Sequence, residues 1–301
     1  MGFLDYDTVF DRLDYPSAVA ALRGALQEGF DPAEDLARQA IDIPGGEFLL
    51  MPSATPAGFG IKLLSVNAEA RGNNPRIQGT YVLFDQQTFA PRATIDGIAL
   101  TNLRTPAASL AGIADVLEPG STGPLSVAIF GTGPQARAHA AAVREVYSSR
   151  EVGVTFLSRS QPEDLEPWAQ AGTEQADKVL RGAELIITTT TAAEPVLEDA
   201  AVRDDAVVVA VGSHSPSARE LPGALLGRSQ VIIEDPETCF REAGDVIQAV
   251  DEGALERERL VTFRNVVRGE VRLDRTRPVV FKFTGMPWED LVLAEAVASA
   301  R

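Results

Sequence analysis

The spacing of hydrophobic residues changes along this chain. Between residues 5 and 40 apolar positions recur at helical spacing, as in AVAALRGALQEGF, where Gly29 is a typical helix stop. From Gly46 to Leu100 short apolar runs with turns between them predict a mostly antiparallel sheet with strands EFLLMP, GFGIKLLSV, GTYVLFD and RATIDGIAL. The next segment, LTNLRTPAASLAGIADVL, returns to helical spacing. The first third of the chain therefore predicts an α+β domain.

A different rhythm begins at Leu125, where strands and helices alternate. The predicted strands are LSVAIF, VGVTFLS, AELIITTT, AVVVAVG and SQVIIED. Continuous apolar runs are typical of parallel strands buried on both faces, and their alternation with helices predicts a doubly wound α/β sheet. After Pro278 a lone strand, VVFKF, and a helical segment, WEDLVLAEAVASA, follow. We therefore predict one domain over residues 114–280 and a discontinuous one over residues 1–113 and 281–301.

Composition narrows the choice of partners. The 301 residues carry a formal net charge of −16, so nucleic acid and anionic membranes are not expected as partners. No apolar run is long enough to span a bilayer, and the N-terminus lacks a signal-peptide pattern. The single cysteine, Cys239, excludes an intrachain disulfide and fits a cytoplasmic location. We predict no metal site.

Lysine is scarce in this sequence. Of 27 basic residues only Lys62, Lys178 and Lys282 are lysines, and the rest are arginines. Because lysine and arginine differ in shape, hydration and ease of deprotonation, a lysine kept in an arginine-rich background is a candidate functional group.

The segment LSVAIFGTGPQARAHAAAV contains a glycine motif directly after a predicted strand. Gly131, Gly133 and Ala136 form G-x-G-x-x-A at the start of a predicted helix. The first glycine permits the tight turn, the second lets the backbone approach a pyrophosphate, and the small third residue lets helix and strand pack closely. The helix N-terminus then offers N–H groups to the phosphates. The motif predicts a Rossmann domain that binds a nicotinamide dinucleotide.

The second strand of this domain ends at Ser158, Arg159 and Ser160. A site specific for NAD usually has Asp or Glu there to hold the ribose 2′-hydroxyl. Here the carboxylate is missing and an arginine is present, which favours the 2′-phosphate of NADP(H); NAD(H) stays open as a cofactor. A solvated surface loop is the alternative interpretation of these three residues.

Together these segments resemble the ornithine cyclodeaminase/mu-crystallin family. The resemblance covers nearly the whole chain. It rests on R-x12-MP, GIKLLSVN, GTYVLFDQQT, DGIALTNLRTPAAS, GTGPQA, GSHSPSAREL and FKFTGMPWEDL. It implies a homodimer, in which the discontinuous domain serves dimerisation and substrate binding.

The resemblance also implies how a substrate carboxylate is held. The family's carboxylate ligands correspond to Arg38, Lys62 and Arg104, and Met51 belongs to the same site. The chemistry of the three cations agrees with this assignment. Burying positive charges close together without partners costs free energy, and a bound carboxylate would lower that cost by pairing with them. Alternative interpretations remain: a surface role for Arg38 and a structural ion pair for Arg104.

The predicted cofactor site extends beyond the glycine motif. Its residues are Thr105, Gly131, Thr132, Gly133, Pro134, Gln135, Ala136, Ser158, Arg159, Ser160, Thr190, Val211, Gly212 and Ser213.

The loop after AVVVAVG departs from the cyclodeaminase pattern. Cyclodeaminases carry Asp where this chain has His214, and the form GSHxPxxREL is more like the pyrroline-2-carboxylate and piperideine-2-carboxylate reductases. The resemblance therefore implies reduction of a cyclic ketimine carboxylate, with a proton from Lys62, His214 or water. An alanine- or ornithine-type enzyme acting on an amino acid, and a binding protein without turnover, remain alternatives. His139 is expected to be structural, on the outward part of the first Rossmann helix.

Overall fold

The chain divides into two compact units. The computed structural model describes residues 2–55, 58–69, 75–117, 121–273 and 275–300. Unit 1 consists of Met1–Ala108 with Met286–Arg301, and unit 2 consists of Ser109–Gly285.

Within the described residues the strands are β1 (Gly2–Leu4), β2 (Gln39–Ile43), β3 (Gly46–Thr55), β4 (Gly58–Asn67), β5 (Ile77–Phe84), β6 (Pro91–Asp96), β7 (Leu125–Phe130), β8 (Val152–Ser158), β9 (Trp168–Gln170), β10 (Leu185–Thr188), β11 (Val207–Ala210), β12 (Gln230–Ile233), β13 (Leu260–Thr262) and β14 (Val279–Lys282). The helices are α1 (Tyr6–Arg12), α2 (Tyr15–Gln27), α3 (Gly97–Ile113), α4 (Pro134–Val146), α5 (Glu174–Gly182), α6 (Gly223–Arg228), α7 (Pro236–Glu242), α8 (Gly244–Asp251), α9 (Phe263–Val267) and α10 (Pro287–Ser299).

Unit 1 is built on one sheet with the strand order β1-β6-β5-β4-β3-β2. Neighbouring strands of this sheet are antiparallel, except β1 and β6, which are parallel. The prediction of a mostly antiparallel sheet is therefore confirmed. Burial alternates along β4: Gly60, Lys62 and Leu64 are buried and the residues between them are half-buried. Helix α10 packs against β3 and β4, with Leu291 and Leu293 fully buried. The sheet thus buries one face under the C-terminal helix.

Three details of unit 1 differ from the prediction, the first being strand β1, which was not predicted. The segment RATIDGIAL is not a strand throughout, because β6 ends at Asp96 and α3 begins at Gly97. Asp96 Oδ1 accepts hydrogen bonds from the backbone N–H groups of Ile98 and Ala99, which is how a side chain caps a helix start. Strand β2 was not predicted, because all of its residues are exposed and it lies at the edge of the sheet.

Unit 2 contains a parallel sheet with the order β13-β12-β14-β11-β10-β7-β8-β9. The α/β fold class is confirmed, and β7 and β8 coincide with LSVAIF and VGVTFLS. These strands are apolar because helices pack on both faces of the sheet. The strands β9 and β13 were not predicted, since each has only three residues.

The unit boundaries differ from the predicted ones. The predicted break at residue 280 falls inside β14, which pairs with β11 on one side and β12 on the other. All four residues of β14 are buried, so the strand belongs wholly to unit 2, and the break lies at residue 285. The other predicted break, at residue 113, lies at 108, within α3.

His139 is structural but does not point outward. It is 0% exposed on α4, and its Nδ1 lies 2.7 Å from the carbonyl oxygen of Gln135. Because a carbonyl only accepts, Nδ1 carries the proton and Nε2 accepts from the Ser109 hydroxyl at 2.8 Å. The histidine thereby fastens α3 to α4 within unit 2.

Among the described residues no helix has the length and hydropathy needed to cross a membrane. The same residues contain no group of three or more His, Cys, Asp or Glu side chains arranged to hold a metal ion.

We predict that Gly60→Ala lowers the free energy of unfolding by about 1–3 kcal/mol, the usual cost of overpacking a core. A Cβ at Gly60 would lie 2.4 Å from the Tyr81 hydroxyl oxygen, and the Tyr81 ring is fully buried and has little room to move. Thermal or urea unfolding measures the effect. Gly153→Ala is the control, because a Cβ there meets open space. Equal stability of the two variants would contradict the packing described for Tyr81.

Candidate active site

A cluster of buried charges lies beneath α10 in unit 1. Lys62 is on the buried face of β4, and its Nζ donates to Asp290 Oδ2 at 2.6 Å and to Thr101 Oγ1 at 3.4 Å. The side chains of Lys62 and Asp290 are both 0% exposed. The predicted substrate lysine is therefore an ion-pair partner of the C-terminal helix.

Arg104 belongs to the same cluster. It lies on α3, where its Nη1 is 3.3 Å from Glu289 Oε2 and its Nε is 3.6 Å from Asp290 Oδ1. Glu289 and Asp290 stand in the first turn of α10, where the helix dipole favours negative charge. The structure thus brings Lys62 and Arg104 together through two carboxylates.

This pairing changes the charge argument made from the sequence. The cations Lys62 and Arg104 are balanced by Glu289 and Asp290 within the chain, so relief of unpaired positive charge does not by itself call for a ligand. The structural ion pair considered for Arg104 exists. Any bound carboxylate would have to share these cations with the two acidic residues.

Burial sets the protonation of Lys62. Burial lowers the pKa of the Lys62 ammonium to about 8; the negative charge of Asp290 opposes this effect and the positive charge of Arg104 adds to it. The ammonium form persists at neutral pH but is within reach of deprotonation, unlike that of an ordinary lysine.

Asp35 fixes the start of α10. Its Oδ2 accepts from the Trp288 backbone N–H at 2.8 Å, and its Oδ1 accepts from the Ser53 hydroxyl at 2.7 Å. Burial raises the pKa of Asp35 to about 6, against the effect of these hydrogen bonds. By holding the first turn of α10, Asp35 positions the two acidic residues that follow Trp288.

The other two predicted substrate residues, Met51 and Arg38, lie in a row of cross-strand neighbours in the sheet of unit 1. Met51 is buried and pairs directly with Lys62, which pairs in turn with Tyr81. Arg38 is half-buried and comes one residue before Gln39, the first residue of β2, whose partner is Leu50. The backbone register therefore places Arg38 beside Met51 at the end of this row.

Sequence reasoning missed Glu289, Asp290 and Asp35 as members of the site. A signal existed for the first two, because two adjacent acidic residues stand in the first turn of a largely apolar helix, directly after a tryptophan. Asp35 lies in a segment without regular spacing, and nothing in the sequence marked it.

The glycine motif of unit 2 has the geometry that a dinucleotide requires. Gly131 has φ +113°, and a Cβ there would lie 2.6 Å from Thr189 Oγ1, so glycine is needed. Gly133 precedes α4 without a side-chain cap, and a Cβ there would meet open space. Ala136 is fully buried, as a small packing residue should be. The loop of Gly131–Ala136, with Thr132, Pro134 and Gln135, thus fits a pyrophosphate group.

The end of β8 fits the predicted role less completely. Arg159 and Ser160 are exposed, but the Ser158 hydroxyl accepts from Trp168 Nε1 at 2.8 Å and donates to the Ser160 carbonyl at 2.7 Å. In this arrangement Ser158 has no proton left to donate to a phosphate.

Arg137 is a cation near the glycine motif that sequence reasoning missed. It forms a two-pronged ion pair with Asp164, at 2.9 and 2.8 Å, and donates to the Thr132 carbonyl. Because both partners are largely exposed, the pair adds little stability.

The remaining predicted cofactor residues fall into two groups. Thr190, Val211, Gly212 and Ser213 lie in unit 2, in the loops that follow β10 and β11, and His214 is exposed in the second of these loops. Thr105 is buried on α3 and belongs to unit 1, one residue after Arg104.

Comparisons with known proteins identify the same family that the sequence motifs resemble. The model of the ornithine cyclodeaminase/mu-crystallin family matches residues 17–300. Delta(1)-pyrroline-2-carboxylate reductase 2 of Burkholderia ambifaria is 29% identical over 305 residues, which cover 96% of this chain and 92% of that protein. Ketimine reductase mu-crystallin of Rattus norvegicus is 32% identical over 234 residues, which cover 76% of this chain and 72% of that protein.

The fold has a close structural counterpart. Delta(1)-pyrroline-2-carboxylate reductase of Thermococcus litoralis, solved in complex with NADH and L-proline, superimposes with a TM-score of 0.86 at 23% identity. The match covers 99% of this chain and 96% of the other. Together with the family match over residues 17–300, it confirms the resemblance found in the sequence: this chain belongs to the ornithine cyclodeaminase/mu-crystallin family.

Proposed function

We propose that this chain is an oxidoreductase acting on C=N bonds, which reduces pyrroline-2-carboxylate or piperideine-2-carboxylate to the cyclic amino acid. The observation that carries the proposal is the buried Lys62 ammonium, held 2.6 Å from Asp290, with a pKa lowered to about 8. Such a group gives up a proton near neutral pH, which imine reduction needs. The names of the relatives from Burkholderia ambifaria and Rattus norvegicus support the same chemistry.

The reaction adds a hydride to the imine carbon and a proton to the nitrogen. The nicotinamide dinucleotide supplies the hydride when bound. Arg38 and Arg104 attract the substrate carboxylate, Met51 contributes apolar contact, and Lys62 donates the proton. The neutral amine left on Lys62 still donates a hydrogen bond to Asp290 until a solvent proton restores the ammonium. We favour Lys62 over His214 because the imidazole is exposed.

Each unit has its own task in this proposal. Unit 2 holds the dinucleotide through Gly131, Gly133 and the helix that begins at Pro134. Unit 1 provides the substrate residues and forms a homodimer. The second face of its sheet supports dimerisation, because this face is apolar and only half-buried in the single chain. Its side chains include Phe48, Leu50, Ile61, Leu63, Val82 and Phe84.

We predict that the chain oxidises NADPH or NADH when pyrroline-2-carboxylate or piperideine-2-carboxylate is added, and that it does not convert ornithine to proline and ammonia. Cyclodeamination needs a group that holds the distal ammonium of ornithine. His214 cannot do so, because a neutral imidazole offers one lone pair and an imidazolium repels the cation. Absorbance at 340 nm and ammonia release measure the two reactions, with pyruvate plus amine as a parallel substrate. Proline formation from ornithine at a comparable rate would overturn the assignment.

We predict that kcat/KM for the imine falls as pH rises through about 8, because deprotonation of Lys62 removes both its charge and its proton. Lys62→Met should lose about tenfold or more in kcat/KM, the cost of one charge-assisted hydrogen bond. Lys62→Met should also lose the part of the fall near pH 8 that comes from Lys62, because the methionine side chain does not titrate. Steady-state rates between pH 6 and 10 measure both effects.

Lys178→Met is the matched control, since Lys178 is an exposed lysine on α5. Its pH profile should equal that of the wild type, including any contribution from the ionisation of the imine itself. Activity of Lys62→Met within twofold of the wild type would remove Lys62 as both carboxylate ligand and proton donor.

We further propose that NADP(H) is preferred over NAD(H), with Arg159 as the ligand of the 2′-phosphate. Arg159→Ala should raise KM for NADPH by about tenfold or more, because a charge-assisted bond to a phosphate is lost, and should leave KM for NADH nearly unchanged. Arg144→Ala, an exposed arginine in the last turn of α4, is the control. An equal effect of Arg159→Ala on both cofactors would exclude this role.

A further inference from the structure

Unit 2 contains a second buried charge network, at the carboxyl ends of its strands. Glu220 is 0% exposed and follows the loop that leaves β11. Its Oε1 accepts from the Thr190 backbone N–H at 2.6 Å and the Thr190 hydroxyl at 2.7 Å. Its Oε2 accepts from the Gly212 backbone N–H at 2.7 Å and the Thr188 hydroxyl at 2.9 Å. One carboxylate therefore joins the end of β10 and the loop after it to the loop after β11.

The two loops approach each other as closely as their backbones allow. A Cβ at Gly212 would lie 2.0 Å from the Thr190 carbonyl oxygen and 2.6 Å from Glu220 Oε1. Glycine at this position lets the carboxylate reach both loops at once. Gly212 therefore permits the close approach of the two loops, and the Glu220 carboxylate holds them together.

The backbone of Glu220 is itself held by hydrogen bonds to a buried aspartate. Asp245 Oδ1 accepts from the backbone N–H groups of Glu220 and Leu221, at 2.7 and 2.9 Å. Lys282 Nζ donates to the Ser213 carbonyl at 2.6 Å and lies 3.0 Å from Asp245 Oδ2. The side chains of Lys282 and Asp245 are both 0% exposed. The network thus fixes the backbone on either side of His214.

The position of these loops in the sheet points to their task. The glycine motif follows β7, and the predicted adenosine contacts follow β8 on one side of it. Strands β10 and β11 lie on the other side, where a doubly wound sheet receives the second half of a dinucleotide. On the proposed function, the loops that Glu220 joins therefore receive the nicotinamide half.

We infer that Glu220 is a positioning residue for the nicotinamide half of the cofactor: it fixes the loops after β10 and β11 in the arrangement that binds this half. It acts through Thr190 and Gly212 and does not contact the reacting atoms. The inference rests on the proposed dinucleotide site.

The chemistry of Glu220 makes its isosteric variant informative. Each carboxylate oxygen receives one backbone N–H, and a backbone N–H cannot reverse its direction. In Glu220→Gln the side-chain NH₂ must face one of these two donors in either orientation, so one loop loses its anchor without a change in volume. Thr188→Val is a milder variant that removes only one hydroxyl donor from Oε2.

The test compares binding of the whole dinucleotide with binding of its adenosine portion, in the absence of substrate. Quenching or enhancement of NADPH and NADH fluorescence gives the affinity for the dinucleotide. Displacement by ADP-ribose, with and without a 2′-phosphate, gives the affinity for the portion that lacks nicotinamide. Glu220→Gln should weaken dinucleotide binding by about tenfold or more and change ADP-ribose binding less than twofold. Thr188→Val should show the same selectivity with a smaller loss.

Glu184→Gln is the matched control. Glu184 immediately precedes β10, at the opposite end of that strand, and is ion-paired with Arg150 at 2.8 Å and Arg275 at 3.0 Å. A loss of stability alone, as in this control, should leave both affinities unchanged. Equal losses for dinucleotide and ADP-ribose, or no loss for either, in both Glu220→Gln and Thr188→Val would overturn the inference. Failure of the wild type to bind either ligand would overturn the dinucleotide site itself, and the inference with it.

Discussion

The ion pair between Lys62 and Asp290 is the interaction on which unit 1 depends. It joins a strand near the start of the chain to a helix 228 residues later, and both side chains are fully buried. Removing two charges from water is costly, and only a fixed geometry with further partners offsets that cost. Thr101 and Arg104 supply those partners, and Arg104 is in turn paired with Glu289. The helix that closes the unit is therefore also the element that defines the charge of the candidate site.

Strands were predictable where burial left a strong pattern. The runs LSVAIF and VGVTFLS are apolar throughout because both faces of their sheet are covered, so their ends could be placed to the residue. The edge strand β2 is exposed along its length, so no burial pattern marked it. The lone strand β14 was recognised but assigned to the wrong unit. Its insertion between β11 and β12 depends on contacts that chain order does not reveal.

The cationic residues of the candidate site could be predicted from the sequence, and the acidic residues that pair with them could not. The family motifs contain Lys62 and Arg104, and these cations were expected to lack partners within the chain. The partners, Glu289 and Asp290, lie about 185 and 228 residues away in the chain, and no periodic pattern connects residues at such a distance. Likewise the hydrogen bond from Trp168 that occupies Ser158 comes from a three-residue strand without a sequence signature. Long-range pairing is the information that a single sequence did not supply.

The scarcity of lysine marked two buried networks but could not distinguish them. Lys62 and Lys282 are both fully buried opposite an aspartate, and an arginine at either position would need a larger, planar space. Lys282 donates to the backbone carbonyl of Ser213 and so holds the main chain of the loop after β11 in place. Lys62 Nζ donates instead to the side chains of Asp290 and Thr101, and burial lowers its pKa to about 8. Lys282 thus holds the main chain of unit 2, whereas Lys62 belongs to a network of side chains in unit 1, and the neighbouring atoms account for this difference.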